Sequence, residues 1–329
     1  MPTFGIVGAT GAVGVEVLSV LEKRKFPLKK LVLLASARSA GKKLRFRGEE
    51  LIVEELTEES FVGLDVAIFS AGGSVSLKYA PIAAKAGCVV IDNSSAWRMD
   101  LNVPLVIPEI NPQDIKEHKN IIANPNCTTI VTLMALYPLH KAFGVKRIFA
   151  ASYQAVSGTG AEAITELRRQ VTQIENGESV TKEVYPHQIA FNALPQVDVF
   201  LPSGYTKEEM KLQNEGRKIM HHDRFLASVT CVRVPVYRAH SVAVAAEFEK
   251  PITPERAREV IARATGIKVV DDPSKNIYPT ALAVSGKDDC EVGRIRQDCA
   301  FENGLSFWVV GDQLLKGAAL NAVQIAELL

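Results

Sequence analysis

Thr3-Phe4-Gly5-Ile6-Val7-Gly8-Ala9-Thr10-Gly11-Ala12-Val13-Gly14 decides how the N-terminal part of this chain is read. Residues 3–8 form a short apolar run, as a strand buried on both faces would. From Gly11 the period changes, and Val13, Val17, Val20 and Leu21 fall on one helical face. Three glycines spaced GxxGxxG lie at the junction. Lacking side chains, they permit a tight turn and let backbone N–H groups approach an anion that the helix N-terminus stabilises. Gly8, Thr10, Gly11, Ala12 and Val13 are therefore the expected contacts of a dinucleotide pyrophosphate. A glycine turn needed only for packing is the competing reading, because the spacing is not GxGxxG.

Outward from this turn, apolar runs recur at residues 31–35, 66–70 and 89–92, with a helical stretch at 75–86 stopped by Gly87. Strands alternating with helices predict a parallel sheet covered on both faces, a doubly wound (Rossmann-type) α/β domain over residues 1–126. After about residue 145 the character changes. Strand-like runs at 146–156, 229–236, 241–248, 292–297 and 305–310 accompany a helix at 162–174 striped by Ile164, Leu167, Val171 and Ile174. Val242, Val244, Ala246 and Phe248 alternate, as on a sheet with one differently packed face. The prediction is an α+β domain over residues 127–313 with a mixed or antiparallel sheet. Residues 314–329 read as an Ala/Leu-rich helix that packs back on the first domain.

With 329 residues the chain suits two domains. Its 47% hydrophobic and 23% charged residues are the balance of an ordinary globular core. Thirty-eight basic against 37 acidic residues leave a net charge of +1, which argues against a nucleic-acid partner or a polybasic membrane anchor. Five cysteines without a CxxC or Cys/His cluster suggest neither a disulfide framework nor a metal site. The apolar opening lacks the basic region of a secretion signal, and Glu16 interrupts it. A reducing, cytoplasmic location is expected.

After the second strand the chain reads Ala35-Ser36-Ala37-Arg38-Ser39-Ala40-Gly41, with no local carboxylate for a ribose 2′-hydroxyl. Ser36, Arg38 and Ser39 suit a 2′-phosphate instead, so NADP (NADPH) is expected over NAD. Further on, Asn124-Pro125-Asn126-Cys127-Thr128-Thr129 precedes an apolar run, placing Cys127 where a helix begins. The positive end of a helix dipole favours thiolate, the nucleophilic form. The other four cysteines lie in apolar or charged strand-like runs and read as structural.

These tracts occur in one order with Ser94-Ser95-Ala96-Trp97-Arg98, Ser152-Tyr153-Gln154-Ala155-Val156-Ser157-Gly158-Thr159-Gly160 and Arg233…His240-Ser241. The series resembles the aspartate-β-semialdehyde dehydrogenases across nearly the whole chain. The resemblance implies NADP-dependent interconversion of L-4-aspartyl phosphate and L-aspartate 4-semialdehyde plus phosphate, in lysine, threonine and methionine biosynthesis. It implies Cys127 as nucleophile, His240 as an acid/base group titrating near neutrality, and Gln154 as orienter of the acyl intermediate. It makes Arg233 the carboxylate contact and Glu208 the ammonium contact of the substrate. Arg98, Lys211 and Asn126 become phosphate contacts, and Ser157, Gly158 and Gln313 cofactor contacts. A homodimer or dimer of dimers, built through the second domain's sheet, is implied as well.

Two points stay open on the residues alone. Strand parity sets Arg233 on the face opposite His240, with Pro235 between them as a possible break. Glu208 and Lys211 follow a Thr-x-x-Glu capping box and share a helical face with Glu215 and Lys218, which a solvated charged stripe would explain equally well. The rival readings are N-acetyl-γ-glutamyl-phosphate reductase, more distantly glyceraldehyde-3-phosphate dehydrogenase, and a silent nucleotide-binding paralogue. A carboxylate for a free ammonium argues against the first, and the presence of both Cys127 and His240 argues against the last.

Overall fold

The computed structural model describes residues 1–329, which divide into two compact units: residues 1–126 with 318–329, and residues 127–317. In the first unit β1 (Thr3–Val7) leads through the glycine turn into α1 (Ala12–Lys23) and β2 (Lys30–Ala35). The hairpin β3 (Lys43–Phe46) and β4 (Glu49–Glu55) follows, then β5 (Val66–Phe69), α2 (Gly73–Lys85), β6 (Val89–Asp92) and β7 (Ile121–Ala123). The sheet order is β3-β4-β2-β1-β5-β6-β7, parallel throughout except where β3 runs against β4. β1 and β5 are almost wholly buried, which is why their sequences are continuous apolar runs. The chain leaves β1 on one side for β2 and returns on the other for β5. Such a reversal opens a crevice at the carboxyl ends of the strands, and the glycine turn lies there.

The second unit opens with α3 (Cys127–Phe143) and β8 (Val145–Gln154), followed by α4 (Ala161–Glu175), α5 (Lys207–Met220) and β9 (Leu226–Arg233). Then come β10 (His240–Phe248), α6 (Pro254–Ala262), β11 (Ile267–Val269), α7 (Ala281–Val284), β12 (Cys290–Gln297) and β13 (Gly304–Gly311). Its sheet is mixed, in the order β11-β12-β13-β10-β8-β9. One face, carrying Ile148, Val242 and Val244, packs under α3. The other leaves Phe149 and Tyr153 exposed.

Two expectations need correction. The strand expected at residues 229–236 ends at Arg233, and Val236 N–H turns back to the Val234 carbonyl around Pro235. Nor are residues 314–329 one helix. A π-helical turn, Leu315–Ala319, precedes α8 (Leu320–Ala326), which belongs to the first unit. The cause is Asp312, whose carboxylate accepts the N–H groups of Leu314 and Leu315 while its carbonyl accepts that of Gly317, five residues on.

Candidate active site

In the first unit, Gly8 holds φ +86°, and a Cβ there would lie 2.4 Å from the Ser70 carbonyl oxygen. At Gly14 a Cβ would lie 2.3 Å from the Gly8 oxygen. Both glycines are thus demanded by close backbone approach. Gly11 is the exposed N-cap of α1 and supplies no side-chain cap, and the first turn, which begins with Ala12 and Val13, holds no acidic residue. The leading N–H groups of α1 and the Thr10 hydroxyl therefore fit an anion. Ser36 and Arg38 are exposed and Ser39 is buried in the short turn Ala37–Ser39. A 2′-phosphate fits these hydroxyls and the guanidinium. The fold adds what the local sequence lacks: β4 brings Glu54 and Glu55, both exposed, into register with Leu34 and Ala35.

Arg98 is buried in this unit. Its Nε donates to the Asn124 carbonyl at 3.0 Å and its Nη2 to the Asn93 carbonyl at 2.9 Å. Two carbonyls thus orient the cation, and the buried Asp92 carboxyl lies close enough to feel its charge. Asn126, also buried, is the last residue of the unit and directly precedes Cys127 in the chain.

In the second unit Cys127 is the first residue of α3 and is half-buried, whereas Cys88, Cys231 and Cys290 are buried and Cys299 is exposed. Burial pushes the thiols of Cys88 and Cys231 up to about 12, so both stay protonated. Only Cys127 combines partial exposure with the positive end of a long helix. Gly317 closes over it, since a Cβ there would stand 2.9 Å from the Cys127 Cβ. A glycine inside an apolar helical run was the legible sign of such a contact, and the sequence reading passed over it.

Gln154, Arg233 and His240 lie side by side. Gln154 pairs with Arg233 across the parallel β8–β9 ladder, and Ser241 pairs with Tyr153 across β8–β10, which sets His240 beside Gln154. All three side chains are buried. The parity argument that separated Arg233 from His240 fails because the two residues end and begin different strands. The Gln154 amide Nε2 donates toward Thr128 Oγ1 at 3.0 Å, Ser152 Oγ at 3.2 Å and Glu208 Oε1 at 3.2 Å, which ties it to the first turn of α3. Arg233 Nη1 donates to the Ala155 carbonyl at 2.7 Å, while its buried Nε has no protein partner.

His240 is fully buried. Its Nδ1 accepts the Ala155 N–H at 3.1 Å, and its Nε2 has no protein partner. Burial, reinforced by the Arg233 cation, pushes the imidazole down to about 3, well below the near-neutral range expected of an acid/base group. Gly158 stands over the pair: a Cβ there would come 3.1 Å from Arg233 Nη1 and 3.2 Å from His240 Nε2. Ser157 Oγ takes a short hydrogen bond from the Gln313 amide, whose oxygen accepts the Ala239 N–H at 2.7 Å. The buried Gln313 side chain thereby holds the loops before His240 and after β8.

The capping box forms as read: Thr206 Oγ1 accepts the Glu209 N–H and Glu209 Oε2 accepts the Thr206 N–H. Glu208 and Glu215, however, are buried, which removes the solvated-stripe alternative. Lys211 Nζ lies 2.8 Å from Glu208 Oε2 and 3.2 Å from Asp198 Oδ2. Sequence reasoning missed Asp198, which the long segment before α5 brings to this pair.

A doubly wound unit joined to a mixed-sheet unit is the construction of semialdehyde dehydrogenases. The family model described as "Semialdehyde dehydrogenase, NAD binding domain" matches residues 3–118, and "Semialdehyde dehydrogenase, dimerisation domain" matches residues 136–316. Aspartate-semialdehyde dehydrogenase of Aquifex aeolicus is 56% identical, covering 98% of this chain and 96% of the relative. That of Bacillus subtilis is 50% identical, over 98% and 95%. Aspartate semialdehyde dehydrogenase II of Vibrio cholerae, solved in complex with ASA, superposes with a TM-score of 0.97 at 46% identity, covering 100% of this chain and 98% of that one. The chain belongs to the aspartate-semialdehyde dehydrogenase family.

Proposed function

We infer that this chain interconverts L-4-aspartyl phosphate and L-aspartate 4-semialdehyde plus phosphate through a thioester on Cys127. The observation that carries this reading is the half-buried thiol at the N-terminus of α3, tied through Thr128 and Gln154 to the buried Gln154–Arg233–His240 row. A thiolate attacks an acyl phosphate readily, and the thioester it forms accepts hydride better than a carboxylate does. NADPH, when bound, supplies that hydride. Its pyrophosphate would be held by Gly8, Thr10, Gly11, Ala12 and Val13, and its 2′-phosphate by Ser36, Arg38 and Ser39. Ser157 and Gly158 would border its reactive end, with Gln313 acting through Ser157.

Arg233 would take the substrate carboxylate with the edge bearing its unpartnered Nε, and Glu208 the ammonium. Arg98, Lys211 and Asn126 would receive the phosphate. Glu208 and Lys211 already neutralise one another at 2.8 Å, so an ammonium and a phosphate would exchange into an existing ion pair rather than meet bare charges. The second unit would form a homodimer through its open sheet face. A reducing cytoplasm suits a mechanism that needs a free thiolate, and no helix is long and apolar enough to cross a membrane.

The test is mass spectrometry of the protein incubated with aspartate semialdehyde and NADP without phosphate. The expected result is one acyl adduct on Cys127, released by phosphate and absent in Cys127→Ser, whose turnover drops by roughly a thousandfold or more. Preference for N-acetylglutamate semialdehyde, or for NAD over NADP at equal concentration, would overturn the substrate or cofactor assignment respectively.

A further inference from the structure

Between α4 and α5 the chain runs through residues 176–206 without a helix or strand of its own. Connections of that length are uncommon in compact units and tend to carry function. This one is anchored from α4. Glu166, in the middle of that helix, is 1% exposed, and Arg169 Nη2 stands off from its carboxylate at 3.9 Å. A buried carboxylate persists where several donors satisfy it. Glu166 Oε2 accepts the Glu183 N–H at 2.7 Å and the Val184 N–H at 2.5 Å, and Oε1 accepts that of Tyr185 at 3.4 Å. One turn on, the buried Gln170 Oε1 accepts the N–H groups of Ile189 and Ala190 at 2.9 and 3.0 Å. Its amide donates to the Thr181 carbonyl at 3.0 Å. Two side chains of one helix thus staple residues 181–190.

The staple delivers Tyr185 to the turn Val156–Thr159 that follows β8. Its hydroxyl donates to Thr159 Oγ1 at 3.0 Å, with the Val156 carbonyl at 3.4 Å. That turn governs Arg233 twice. It starts from Ala155, whose carbonyl takes Arg233 Nη1 at 2.7 Å. It also carries Gly158, where a Cβ would stand 3.1 Å from the same nitrogen. Further along the loop, Leu194 exchanges both backbone hydrogen bonds with Arg233, at 2.9 and 2.8 Å. Beside the guanidinium the loop leaves a cavity of about 330 Å³, whose lining includes Thr159, Tyr185, Leu194 and Arg233.

We propose that Tyr185 is a positioning residue for the substrate carboxylate: by holding the Val156–Thr159 turn through Thr159, its hydroxyl fixes the Arg233 guanidinium that receives that group. The proposal rests on the reading of Arg233 as the carboxylate contact. Tyr185 acts through the turn, and what it sets is an orientation. A guanidinium pairs bidentately with a carboxylate only over a narrow range of orientations. The reaction takes place at the other end of the substrate, so this carboxylate is the same group in the ground state and the transition state. Loosening its holder weakens the binding of both alike, which raises KM and spares kcat.

The test is steady-state kinetics of Tyr185→Phe, Thr159→Val and the double variant, run toward NADPH with aspartate semialdehyde and phosphate. Each single variant should raise KM for the semialdehyde about fivefold, with kcat within about twofold and KM for phosphate unchanged. The double variant should match the single ones, because all three lack the same hydrogen bond. Thr159→Ser, which keeps the hydroxyl, should keep the wild-type KM. An unchanged semialdehyde KM in Tyr185→Phe overturns the proposal, even where the thermal midpoint falls, since that would be a purely structural bond. Additive effects in the double variant, or an equal rise in KM for phosphate, overturn it too. An unaltered semialdehyde KM in Arg233→Lys would instead overturn the assignment of Arg233, so the two failures are distinguishable.

Discussion

His240 shows what a buried row costs the fold in acid. The ordinary value of the ring, 6.5, is held down to about 3 in the folded protein. Below about pH 6.5 the unfolded chain binds a proton here that the folded chain refuses, so stability is lost as pH falls through that window, by up to about 1.4 kcal/mol per pH unit. His118 and His140, both lowered by burial, act in the same direction. Asp92 opposes them: burial raises its carboxyl, so the folded state retains that proton and is favoured by acid. The expected outcome is a thermal midpoint that falls between pH 6.5 and 4, with a visibly shallower slope in H240N. Parallel slopes for the two proteins would show that the ring is protonated in the native state. At this scale the candidate residues and their order along the chain were legible, since ordered motifs carry residue types. Their protonation was not, because it depends on the Ala155 amide and Gly158, groups whose meaning appears only when strands β8 and β10 lie side by side.

Elements succeed or fail on whether their instructions are local. The strands of the first unit were readable because double burial makes them continuous apolar runs, and α5 was readable because its capping box is written within four residues. The β3–β4 hairpin escaped, since its strands are mostly exposed and charged. The break at residues 314–329 escaped because Asp312 imposes it from outside the helical pattern. That break has a function to test. The π-turn sets Gly317 against the Cys127 Cβ, where an added methyl at 2.9 Å must displace either the helix carrying the thiol or the turn itself. Gly317→Ala should lower stability by about 1–3 kcal/mol and reduce kcat at least tenfold. NADP binding by fluorescence quenching should change little, because the glycine turn belongs to the other unit. An unchanged melt with full kcat would mean that the turn yields freely and does not place the nucleophile.

For the whole molecule, the second sheet poses a problem that one chain leaves unsolved. Its inner face is buried under α3, but on the outer face Phe149 is 52% and Tyr153 38% exposed. They flank small residues, Ala151, Ala243 and Ala245, with Trp308 in register beside Ala243. Phe149 stacks on Phe301 and Tyr153 leans on Trp308, which gives the face a rigid aromatic frame around a shallow floor. Exposed aromatic surface is unfavourable against water, and a second copy of the same face would cover it by two-fold symmetry. A stable interface of this kind buries on the order of 1,600 Å² in total, and a charge set into its aromatic frame would have to be stripped of water as the interface forms. Phe149→Asp should therefore shift the sedimentation coefficient from that of a dimer to that of a single chain at micromolar concentration. Its far-UV circular dichroism should stay unchanged, because Phe149 packs on the outside of an otherwise intact sheet. A variant that remains dimeric with normal circular dichroism would place the interface elsewhere on the molecule.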